Sequence, residues 1–255
     1  MKEQRKLNKG GKMLLLFTLV ISSIFLLRPF TVKADVNVNI NKETQIVTDL
    51  IGQYSINYTG DANFFGFYGY YENNNYNEMV KDTDFKATVD TIGKDKIVNS
   101  SIASLKKTDG ATQIEAAYLV WETSVQGKNN TDLVKKAANM KVYFAGATDK
   151  GAFTKKVNAS YAAVDMREPH LGTKEYTFSC MYVDVTSVVQ KYGYGKYGVA
   201  NIPYAASMKT SNTDKGTHAG ESSSAWQLIV IEKNSKANVR AVSLKVGSHF
   251  NYQQE

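Results

Sequence analysis

The chain's whole imidazole supply is His170, His218 and His249, and no two of them lie closer than 31 residues. That spacing contains no HExxH, whose two histidines must share one helix face to grip zinc. His218 with Asp214 and Glu221 could form a loop metal site, but three polar residues in a solvated loop explain the same pattern. No G-x-S-x-G elbow is present to expose a serine nucleophile. Cys180, the single cysteine, falls inside an alternating strand pattern. That placement suits an inert buried thiol better than an activated one, which needs a partly open, electropositive setting. Two carboxylates across a cleft could hydrolyse a glycoside. Asp82 and Asp84 would share one face if extended, as would Glu72 and Glu78, although such neighbours are common on surfaces. Asp82-Thr-Asp84 lacks the glycine and distal glutamate of a full calcium loop. Lys141 and Lys245 are candidates for inward-pointing lysines able to crosslink to asparagine, as in Gram-positive surface proteins. Edge-strand charge is the simpler reading of both. The expectation is therefore no enzyme, no cofactor and no metal.

The elements that would position these groups are mostly strands. Short β-branched or aromatic runs alternate with polar clusters, which signals an all-β chain. Strands are predicted at 54–58, 64–71, 86–92, 114–123, 139–145, 152–157, 176–184, 196–202, 226–232 and 241–246. In "YTFSCMYVDV" Tyr176, Phe178, Cys180 and Tyr182 share one face. "AWQLIVIEK" is more continuously apolar and predicts a central strand covered on both sides. A weakly periodic helix is expected over 94–107. A clearer one follows Asp184 or Thr186, with Val185, Val188, Val189 and Tyr192 at helical spacing. Gly193 would end that helix in a left-handed conformation, and Gly195 would serve the next turn. Because those glycines follow the helix, the stretch is a corner and not a phosphate loop.

The first 34 residues read differently. Basic residues are followed by the uncharged run "MLLLFTLVISSIFLL" and then Val32-Lys33-Ala34, the order of a secretory signal peptide. Its fifteen uncharged residues rise only ~22 Å as a helix, short of the ~30 Å hydrocarbon core. Cleavage is expected after Ala34, leaving residues 35–255 as a single secreted domain. This segment holds seven of the 31 basic residues and one of the 24 acids. The remainder carries 24 bases against 23 acids, so it gives no warrant for nucleic-acid binding. Contact with membrane is expected only through the signal peptide during export. One cysteine allows no internal disulfide, which favours a bacterial product. Asn57, Asn99, Asn129 and Asn158 head glycosylation-type triplets and are then expected to be polar turn residues.

Two stretches are the expected partner-facing surfaces. "YGYYENNNY" concentrates tyrosine and asparagine, and tyrosine offers large contact area at little entropic cost. Its Tyr68, Tyr70, Tyr71 and Tyr76 are candidate contacts, although an edge strand and its turn would look alike. Residues 206–225 form the longest loop and contribute Asp214, His218 and Glu221.

Four blocks in order carry a resemblance: "AAYLVWE" (116–122), "VYFAG" (142–146), "YVDVTSVVQKYGYGKYGVANI" (182–202) and "SAWQLIVIEKNSKANVRAVSLKVG" (224–247). Together the blocks resemble the N-terminal β-sandwich module of large Gram-positive and other bacterial cell-surface proteins, adhesin-like and repeat-containing. The chain departs from that pattern at Ala225, where glycine is usual, and at Ile231-Glu232, where an aromatic pair is common. The resemblance implies a two-sheet antiparallel, jelly-roll-like sandwich with one or two short helices, and it brings no catalytic residues. The expected function is binding, adhesion or matrix building, secreted or at the cell surface. The partner would be carbohydrate, protein or another copy of the chain. An exported polysaccharide hydrolase and a subunit of an extracellular fibre are the alternatives. Trp121 and Trp226 are expected to anchor the core.

Overall fold

The computed structural model describes residues 37–40, 45–65, 74–75, 77–126, 131–167, 176–203 and 223–247. Twelve strands and four short α-helices are found among them. In chain order they are β1 (Asn37–Ile40), β2 (Gln45–Phe65), β3 (Asn74–Asn75), α1 (Glu78–Lys81), α2 (Lys86–Ile92), β4 (Ser100–Leu105), β5 (Ala111–Gln126), α3 (Thr131–Asn139), β6 (Val142–Thr148), β7 (Gly151–Val157), β8 (Tyr161–Arg167), β9 (Tyr176–Asp184), α4 (Thr186–Tyr192), β10 (Gly195–Ala200), β11 (Ser223–Asn234) and β12 (Val239–Val246). The fold is an all-β sandwich. The large sheet runs β1-β8-β9-β5-β11-β2-β12, with β3 on β2, and the small sheet runs β4-β10-β6-β7. Strand pairing is antiparallel except for β1, which lies parallel to β8.

Period-two alternation explains how the layers close. Ala117, Leu119 and Trp121 of β5, with Trp226, Leu228 and Val230 of β11, face the small sheet, where Phe144, Tyr197 and Val199 meet them. Trp121 and Trp226 are direct cross-strand partners, and both are buried. The opposite face of the small sheet is covered by Met79, Phe85, Val89 and Ile92 from α1, α2 and the 3-10 turn between them. Gly198 makes that cover possible, because a Cβ there would come within 2.9 Å of the Met79 sulfur. The outer face of the large sheet is closed in part by β12 and the first half of β2. Val242, with Leu50 and Leu244, packs there on Tyr118, Tyr182 and Ile231. β11 is the central strand its composition predicts, between β5 and β2.

Several expectations are corrected. Residues 86–92 form a helix and not a strand, since Thr88, Val89 and Ile92 are buried at i, i+1 and i+4 behind Phe85. Tertiary burial outweighs their β-branched propensity. Residues 94–107 are not a helix. Gly93, at φ 92°, ends α2, a short 3-10 turn follows, and β4 pairs with β10. Four α-helices stand where one or two were expected. β8 and α3 were not anticipated, and β2 is one 21-residue strand reaching past the predicted 54–58.

Candidate functional site

The corner is the part of the fold where backbone geometry and polar chemistry converge. Asp184 Oδ1 accepts the Thr186 N–H at 2.8 Å and opens α4. Val185, Val188 and Val189 are buried, and the Tyr192 ring lies 4.5 Å from that of Phe153. Gly193 N–H bonds to Val189 O at 2.8 Å, and its φ of 73° is positive as the sequence predicts, while its ψ of −135° lies outside the left-handed helical region. Gly195, at φ 137°, then starts β10. The tip of the β6–β7 hairpin, Asp149 and Lys150, lies directly against Gly193.

These turns border a cleft of about 480 Å³ lined by Lys107, Thr112, Gln113, Asp149, Lys150, Gln190 and Tyr194, together with Ile114 and Gly193. Beneath it sits Glu232, which is wholly buried. Its carboxylate accepts from Tyr194 Oη at 2.7 Å, Ser55 Oγ at 3.2 Å and Asn57 Nδ2 at 3.4 Å. The Thr108 N–H, at 3.5 Å, contributes more weakly. A carboxylate taken out of water costs several kcal/mol unless donors replace its hydration, and these groups supply that replacement. Burial, reinforced by the bond to Glu232, pushes the Tyr194 phenol well above its ordinary range. It therefore stays a donor at neutral pH. The cleft offers two ammonium groups, the Gln113 amide and the Asp149 carboxylate, while the Gln190 amide already donates to Ile114 O at 3.0 Å; the set suits hydrogen bonding to hydroxyls or acidic groups.

A second polar node crosses between the sheets near the other end of β11. Trp226 Nε1 donates to Ser101 Oγ at 2.7 Å, and Ser101 Oγ donates to Asn63 Oδ1 at 2.6 Å. Asn63 Nδ2 donates to Asn99 Oδ1 and Val199 O, and Asn99 Nδ2 donates to Ile202 O. All four side chains are buried, and every bond in this chain joins neutral groups. Asn57 and Asn99 are thus strand and core residues, not the polar turn residues expected of them. Asn158 is exposed and donates to Asn139 O.

Asp82 and Asp84 do converge, but on Lys196, at 2.9 and 2.8 Å. The Lys196 hydrogen bond holds the Asp82 carboxyl below the usual carboxylate range. Glu78 accepts the Ile102 N–H at 2.8 Å, so it covers the edge strand β4. Burial, with Glu122 nearby, pushes the Cys180 thiol up to about 12. Lys141 and Lys245 are exposed, so neither is an inward-pointing lysine. Among the described residues no three His, Cys, Asp or Glu side chains are grouped to hold a metal ion. Glu72, the three histidines, Tyr68, Tyr70, Tyr71, Tyr76, Asp214, Glu221 and the segment 1–34 lie outside the described residues. The two stretches chosen as partner-facing leave from paired positions, Phe65 and Ser223, at the end of the large sheet away from the corner.

Sequence reasoning missed Glu232 as a site residue. The available signal was a lone acid closing the apolar run of a central strand. Compared with protein-family models, with curated proteins and with solved structures, the chain matches none.

Proposed function

We propose that this protein is a secreted or cell-surface-associated β-sandwich that acts by binding and not by catalysis, exported by residues 1–34 and processed after Ala34. Its partners are extracellular carbohydrate, protein or further copies of itself. One observation carries the reading: among the described residues, the thiol, the paired aspartates and the buried glutamate that could attack or transfer a proton are already engaged. Cys180 is buried and protonated, Asp82 and Asp84 share Lys196, and Glu232 accepts from two residues of β2 and from Tyr194 in the turn after α4. What the corner leaves open is the polar cleft, a surface for hydrogen bonding. The tyrosine stretch, which follows β2 in the chain, and the 206–225 segment, which leads into β11, provide a second surface in the same proposal. The resemblance to bacterial surface modules supports the location.

A glycan and matrix-protein array probed with the exported protein tests this, run beside an assay for reducing ends released from the same polysaccharides. Saturable binding without release is the expected result. Release of new reducing ends would transfer the assignment to the hydrolase.

A further inference from the structure

The strand β1 stands apart from the rest of the large sheet. Its backbone pairs in parallel with β8, residue for residue from Asn37↔Tyr161 to Ile40↔Val164, while β8 is antiparallel to β9 on its other edge. Parallel pairing is slightly weaker per residue than antiparallel pairing, and this one is four residues long. Yet the edge it fills is not an ordinary solvent edge. Tyr161, Ala162, Ala163 and Val164 are all buried, so β8 needs a strand beside it. The sequence from Val36 to Asn41 alternates β-branched residues with asparagine, a pattern that codes for a strand wherever an edge is available.

The connection to the rest of the chain is short. Only residues 41–44 separate β1 from β2, although β9, β5 and β11 lie between β8 and β2 in the sheet. The first half of β2 approaches β8 because it lies over the outer face, where Val47 and Leu50 pack near Tyr182. A terminal element on a short connector, filling a slot that must be filled, is the arrangement that favours exchange between copies.

We infer that the β8 edge is a self-association site whose partner is the β1 strand of a second copy of this chain. This rests on the export and processing proposed above, which place β1 two residues from the new N-terminus. When β1 of one copy pairs with β8 of the next, each copy offers an occupied edge and a donated strand. Reciprocal exchange between two copies closes a dimer, and one-way donation propagates head to tail. The same backbone hydrogen bonds form in either copy, so the exchange adds no new chemistry. Concentration sets how far it proceeds.

The test uses the full chain expressed in an exporting bacterial host, with Cys180→Ala as background. Val38→Cys and Ala162→Cys are made separately, purified, mixed and oxidised; these positions are register partners. A crosslinked species of twice the chain mass, formed from the mixture and absent from either variant alone, is expected. If the two variants crosslink only when both cysteines are in one chain, and then only within that chain, the inference is overturned. Light scattering of the unsubstituted protein at rising concentration gives a readout independent of the cysteines. Mass should climb, and excess synthetic peptide of residues 35–44 should lower it. A constant monomer mass unaffected by the peptide would also overturn the inference. Intact mass of the exported chain separately reports processing. A chain starting at Asp35 that never crosslinks between copies rejects strand exchange alone, whereas an unprocessed chain rejects the export reading.

Discussion

The two buried polar nodes lie six residues apart along β11, at Trp226 and Glu232, and they solve the same problem by opposite means. At Trp226 every partner is neutral, and each donor meets an acceptor in a chain through Ser101, Asn63 and Asn99. At Glu232 a single carboxylate gathers hydroxyl, amide and backbone donors, and its strongest partner, Tyr194, is also a wall of the cleft. The first node fastens β2, β4, β10 and β11 together. The second stiffens one wall of the polar cleft. Buried polarity therefore joins the two sheets at one end of the strand and holds the wall of an open cleft at the other.

The contrast breaks most visibly if charge is placed in the neutral node. Asn63→Asp would turn a donor into an acceptor facing Asn99 Oδ1 and Val199 O. An uncompensated buried charge of this kind costs about 3–5 kcal/mol. Thermal or urea unfolding should show that loss, and a variant as stable as the parent would mean the node is not closed. At the other node, Tyr194→Phe removes one donor to a charged acceptor and should cost about 1.5–3 kcal/mol. It should also weaken whatever the cleft binds, an effect measurable by surface plasmon resonance. Equal stability with unchanged binding would detach Tyr194 from the cleft wall.

How much of this was readable from the residues depends on what set each feature. The corner was legible because local chemistry decides it: valines at helical spacing, then a glycine in the one conformation it alone takes easily. Strands β5, β9 and β11 were legible from alternation for the same reason. The helix at 86–92 was not, since its Thr and Val residues favour strand locally and only burial under Phe85 and Met79 makes it helical. Neither node was foreseen. Asn63, Asn99 and Ser101 are ordinary surface types in sequence, and their meeting depends on pairings between strands far apart in the chain. Glu232 was noticed only as a departure from an aromatic pattern, without the tyrosine that explains it.

The corner sharpens the comparison further. Gly193→Val forces a β-branched residue to φ 73° and brings its side chain against Asp149 and Lys150. A loss of at least about 1 kcal/mol is expected. An unchanged melting temperature would show that α4 does not depend on that turn. The smallest effect concerns Cys180. The native state keeps its proton up to about pH 12, whereas an unfolded thiol loses it near about pH 8.5. Native stability should therefore fall as pH rises above that lower value, because the unfolded chain releases the proton first. Iodoacetamide at pH 8 should label the denatured chain and spare the native one. Rapid native labelling would show an accessible thiolate.

The most direct test of the difference between the two ends is amide hydrogen exchange on the purified protein, with and without the strongest ligand found on the array. Added protection is expected at residues 107–114, 149–150 and 190–194, while residues 99–101 stay equally slow in both states. Protection that appears only around residues 99–101, with the corner unchanged, would contradict the account.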